Sequence, residues 1–252
     1  MTYWRKNWYY IGGILFVALA FLMGLWGVDH LSRIRVILIF SWMGMLMHQF
    51  EEYALPGGFP LISNMGGLGE LDHPERYPLN GMQCFISNVF FCYLSYIIPI
   101  LFPNLIWMGA SQVMAGVWQL PGHGIAMNLR IKRFYNPGLA STFFLQTPVA
   151  IYYIWYVIHY MPEQAHQLWW GIPGSIAMLL LTFIIPILIM MNKNSKYPFD
   201  EKELYGYDKE GMQKSLKKAL VHRIAQPFVY SKSKGLILCN SFTLVPFFYH
   251  SE

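Results

Sequence analysis

Met47-His48-Gln49-Phe50-Glu51-Glu52-Tyr53 brings one imidazole and two carboxylates together at the end of an apolar run. On a helix, Glu51 and Glu52 follow His48 by three and four residues, so both carboxylates flank the ring on one side. Pro56, Gly57, Gly58 and Pro60 follow and cannot continue that helix. Ionisable groups at the end of an apolar helix are costly unless they find partners.

A partner stands further along the chain. Gln112, Gln119 and His123 fall on one face of a helix, and Pro121-Gly122 interrupts that helix just before His123. His123 precedes a basic cluster, Arg130, Lys132 and Arg133, by about two turns, which sets it at a depth comparable to His48. His48, Glu51, Glu52 and His123 together have the composition of a divalent-metal site, for zinc or iron. One glutamate could bind while the other acts as general base on bound water, so Glu51 and Glu52 are both catalytic candidates and both ligand candidates. A second metal would need more ligands, with His73, Glu70 and Glu75 as candidates. Asn88, Gln119, Asn128 and Arg130 are candidate substrate contacts, although Asn88 on a stripe with Cys84, Cys92 and Ser95 also fits helix packing. Ser41, Gly44 and His48 line one side of their helix, which suggests room beneath the histidine for a substrate tail.

The elements that must carry these residues are membrane helices. Of 252 residues 55% are hydrophobic and 12% charged, half the charged share usual for a soluble domain. The expected fold is all-α, a polytopic membrane bundle of about six helices. The spans run over Tyr9–Val28, Ile34–Phe50, Cys84–Phe102, Leu105–Arg130, Leu139–Tyr160 and Leu168–Met191. With the amino terminus inside, sixteen of the 18 basic residues lie on the inner side and only Arg33 and Arg35 outside. Both termini are therefore expected in the cytoplasm, with His48 and the glutamates at the cytoplasmic end of the second span. Residues 1–192 form the membrane domain and 193–252 a cytoplasmic or membrane-surface tail, in which Asp208–Gln226 reads as a basic amphipathic helix. The net charge of +5 is distributed as a topology signal and not as a nucleic-acid surface. Cys84, Cys92 and Cys239 show no metal-binding or redox spacing.

His48-Gln49-Phe50-Glu51-Glu52, followed by Pro56-Gly57-Gly58-Phe59, resembles the motif of a bacterial membrane family named for its HXXEE sequence. His123 and Tyr135-Asn136-Pro137-Gly138 are similar to that family's second motif. The resemblance covers about residues 1–198 and implies a shared site in a bacterial cytoplasmic membrane without naming a reaction.

The residues themselves point first to a membrane-embedded, metal-dependent hydrolase or oxidoreductase acting on a lipid or other hydrophobic substrate at the cytoplasmic leaflet. A metal-free His/Glu acid–base isomerase is the alternative. A transporter or binding protein is a third, since ionisable groups in spans also mark ion paths.

Overall fold

The computed structural model describes residues 1–205 together with Gly211, Lys214, Lys217 and Lys218. Helix takes up 79% of the described residues and no strand occurs among them, so the fold is all-α as expected. The helices are α1 (Thr2–His30), α2 (Arg33–Tyr53), the short α3 (residues 59–67), α4 (Gly81–Leu101), α5 (residues 106–131), α6 (residues 139–160), α7 (Pro162–Met190) and α8 (Glu201–Tyr205). The expected amphipathic helix over Asp208–Gln226 falls almost wholly outside the described residues.

Among the described residues, three helices, α1, α4 and α7, are long and apolar enough to cross a membrane. All six expected spans are present as helices, but α2, α5 and α6 lack the hydropathy of a crossing by that measure. Burial explains the difference for α2. It packs against α1, α4, α5 and α6, and fifteen of its 21 residues are buried, His48, Gln49, Glu51 and Glu52 among them. A helix enclosed by protein can carry polar groups that a lipid-facing helix cannot. Apolar packing on either side holds it: Ile34, Ile37 and Leu38 meet Ile106, Ala110, Val113, Tyr153 and Val157, while Met45 meets Cys92 and Tyr96.

At the end of α2 that bears His48, the chain turns through Gly57 and Gly58, both at positive φ, into α3. Asn64, fully buried on α3, then holds the connection to α4. Its side-chain carbonyl accepts from Leu79 N at 2.9 Å, and its amide donates to the Pro74 and Leu79 carbonyls at 2.8 and 3.0 Å. Asn64→Ala would leave three backbone groups without partners, two of them buried, at about 1–3 kcal/mol each. A fall in melting temperature on the order of 5–10 °C, with faster proteolysis between residues 68 and 80, is the expected result.

The amino terminus and the segment after α7 meet at this same end. Lys6 pairs with Asp200 at 2.7 Å, Arg5 donates to the Pro198 carbonyl at 3.2 Å, and Gly81 N donates to the Tyr197 carbonyl at 2.9 Å. Phe199 and Leu204 are buried in one cluster with Trp8, Tyr9, Tyr53, Phe59 and Ile62. The base of the bundle around the candidate site is thus built from five separate stretches of chain.

Candidate metal centre

α2 supplies His48 and Glu52, and α5 supplies His123 at its irregular turn, residues 122–127, which follows Pro121. All three are buried. Glu52 Oε1 lies 3.5 Å from His48 Nε2 and 3.4 Å from His123 Nε2, and the three donor atoms sit within 4.8 Å of one another. The two rings stand edge to face, 5.0 Å apart, and Phe59 of α3 covers His123 at 5.2 Å.

The groups behind each ring decide which nitrogen carries its proton. His48 Nδ1 faces the Gly138 carbonyl at 3.0 Å, Ser141 Oγ at 3.2 Å and Thr142 Oγ1 at 3.2 Å. The Thr142 hydroxyl donates to Gly138 O, and the Ser141 hydroxyl donates to Glu51, so all three oxygens accept toward the ring. His48 Nδ1 is therefore a protonated nitrogen, and in the neutral ring Nε2 carries the lone pair. For His123 the same follows from Asn136. Its amide nitrogen donates to the His123 carbonyl and to Asn128 Oδ1, at 2.6 and 2.7 Å, which leaves Asn136 Oδ1 to accept from His123 Nδ1 at 2.6 Å. Asn128 is itself oriented, since its amide donates to Phe134 O at 2.6 Å. Both Nε2 atoms thus face one carboxylate, with their lone pairs toward it when the rings are neutral, and His48 Nε2 is buried with no hydrogen-bond partner.

This arrangement fits a metal ion. Histidine ligands usually donate the other ring nitrogen to a carbonyl or carboxylate, as here. Two donors held at about 2.0–2.1 Å by one tetrahedral ion stand about 3.4 Å apart, the spacing seen from Glu52 to both rings. Three protein ligands leave a coordination position open, the pattern of catalytic and not of structural sites.

Glu51 departs from expectation. It lies outside the three-residue group and points to the first turn of α6. Its Oε1 accepts from Tyr135 OH at 2.6 Å and Ala140 N at 3.0 Å; its Oε2 accepts from Ser141 N at 2.7 Å and from the Ser141 hydroxyl. All four acceptor positions of the carboxylate are filled, so Glu51 has no lone pair for a metal or for water. The physical reason is α6. Its first residue follows Gly138, which has no side chain to cap the free amides of the first turn, and Glu51 supplies the cap from another helix.

The four candidate substrate contacts fall in separate places. Asn88 accepts from Gln49 at 3.0 Å and donates to Cys84 O at 2.9 Å, which ties α4 to α2. Asn128 stands behind Asn136. Arg130 donates to the Gly67 carbonyl and so holds the end of α3 to α5. Gln119 is half-buried one turn from His123. Nor is there space beneath His48: a methyl group at Gly44 would stand 3.3 Å from Gln146 Cγ, so the α6 glutamine fills it. The loop residues proposed for a second metal, His73, Glu70 and Glu75, are outside the group. Glu70 accepts from the Asp72 and His73 amides, and Glu75 pairs with Arg76. Residue spacing alone does not reveal Asn136, Gly138, Ser141 and Thr142 as supports of the histidines; the Asn136-Pro137-Gly138 turn is the sequence signal that marks them.

No curated protein and no solved structure matches this chain. The resemblance seen in the sequence is shown by a family model described as "Protein of unknown function with HXXEE motif", which matches residues 39–153 and so contains His48, Glu51, Glu52, His123 and the turn behind them.

Proposed function

We propose that this protein is a membrane-embedded, metal-dependent enzyme whose centre is His48, Glu52 and His123. The observation that carries the reading is the convergence of two Nε2 atoms, each on a ring whose Nδ1 proton is already committed, on one buried carboxylate oxygen. With both rings neutral and no metal ion between them, these groups would present lone pair to lone pair in a buried space, a costly arrangement that a metal ion or a ring proton relieves. Two histidines and one carboxylate with an open position is the ligand set of hydrolytic zinc sites and of non-haem iron oxygenases. Bound there, zinc would supply a Lewis acid for hydrolysis and iron a redox centre for oxidation.

The chain's own part is to hold and to dry the site. Gly138 O and Asn136 Oδ1 keep both Nδ1 protons in place, and Phe59 shields His123. A hydrophobic substrate at the inner leaflet suits the setting: three helices with the character of spans, and the centre at the end of α2. Between α2 and α6 an open cleft lined by Met47, Leu55, Phe144 and Leu145 runs beside Glu51 and Tyr135. The six-span topology with cytoplasmic termini belongs to the same proposal and is supported by the basic-residue asymmetry.

Elemental analysis of detergent-purified protein never exposed to chelator tests this. Near-stoichiometric zinc or iron is expected, and its identity selects hydrolysis or oxidation. Turnover or ligand uptake by a preparation free of metal would instead support the acid–base or the transport reading.

A further inference from the structure

The HXXEE motif contains two adjacent glutamates, and the geometry points to different work for each. We infer that Glu51 is a positioning residue: it sets the tautomer and orientation of His48 through the first turn of α6, without touching the metal. The inference rests on the metal reading above.

His48 Nδ1 meets three acceptors, Gly138 O, Ser141 Oγ and Thr142 Oγ1, all at the start of α6. That turn is fixed to α2 by Glu51, through the Ala140 and Ser141 amides, the Ser141 hydroxyl and Tyr135 OH. Glu51 and His48 are three residues apart on one helix, so the distance between carboxylate and ring is set by α2 itself. The serine hydroxyl then fills the gap between them. Its hydrogen is committed to Glu51 Oε2, which leaves its oxygen to accept from His48 Nδ1. Such an arrangement passes negative charge to the imidazole and raises its basicity as a ligand. The motif therefore reads as one unit: His48 and Glu52 bind, while Glu51 aims His48.

Gln in place of Glu51 cannot reproduce this. Its amide nitrogen would face a backbone N–H or the Ser141 hydroxyl hydrogen, donor against donor. Ser141→Ala is milder, because it removes the relaying hydroxyl and leaves both amide caps to Glu51.

The test is titration with cobalt(II) as a spectroscopic probe, on wild type, Glu51→Gln and Ser141→Ala, all as full-length protein in detergent. Wild type is expected to bind cobalt with the strong visible bands of a four-coordinate ion. Glu51→Gln should bind about 10–100-fold more weakly, and Ser141→Ala about tenfold, with band intensities at saturation unchanged. Unaltered affinity in both variants overturns the positioning role. A change of coordination number in Glu51→Gln overturns it differently, by making Glu51 a ligand. Absence of cobalt binding by wild type removes the metal reading, and the positioning role with it. Should Glu51→Gln fail to fold, Ser141→Ala decides alone.

Discussion

Glu52→Gln is expected to abolish stoichiometric metal while leaving the helical bundle folded. Glutamine has nearly the same volume, so the packing of α2 against α5 and Phe59 keeps its shape. What is lost is the anionic oxygen that both Nε2 atoms face at 3.4 and 3.5 Å. Zinc at a four-ligand site binds with about 10–16 kcal/mol, or about 2.5–4 kcal/mol per ligand. Loss of one ligand then weakens binding by about a hundredfold. His48→Ala/His123→Ala removes two and should leave no measurable metal. Thermal melting gives an independent readout. Metal at about 100 times its dissociation constant stabilises a folded binder by about 2.7 kcal/mol, so added zinc should raise the wild-type melting temperature and leave Glu52→Gln where it was. Full metal content in both variants would mean that the site is elsewhere.

The difference between Glu51 and Glu52 also marks where the sequence stops being informative. Helical spacing places both carboxylates beside His48, and nothing local tells them apart. They are distinguished by what lies across from each: His123 on α5 for Glu52, and the uncapped first turn of α6 for Glu51. Both are tertiary facts. The pairing of His48 with His123 was legible, because depth in a membrane can be counted from a basic cluster and Pro121-Gly122 marked an irregular turn. The all-α fold was legible from composition. The space beneath His48 was not, since Gly44 looked like an opening and is a seat for Gln146. Arg130 likewise is a candidate substrate contact by sequence and instead donates to the end of α3. Polar residues in a membrane helix announce that they have partners without naming them, and the partners here come from the loop before α6 as well as from the helices.

A single methyl group at Gly138 should damage this centre more than any loop substitution. Gly138 has φ +103°, a conformation that costs an L-residue about 1–3 kcal/mol. An alanine Cβ there would also stand 2.5 Å from His123 Cε1 and 2.8 Å from His48 Cε1. Neither ring can simply rotate away, because each is held at Nδ1, His48 by Gly138 O and His123 by Asn136. Crowding of this kind adds about 1–3 kcal/mol of its own. Gly138→Ala is therefore expected to lower metal affinity at least tenfold and to reduce stability by about 2–6 kcal/mol. Gly69→Ala separates the two contributions. Gly69 also has positive φ, +77°, but a methyl group there meets nothing within 4 Å. That variant should lose about 1–2 kcal/mol and keep its metal. Equal metal affinity in the two variants would show that the close approach of Gly138 to both rings does not shape the centre. Weakened binding in Gly138→Ala alone would show that the Asn136-Pro137-Gly138 turn has the job of bringing backbone up against two imidazoles, which a residue with a side chain cannot do.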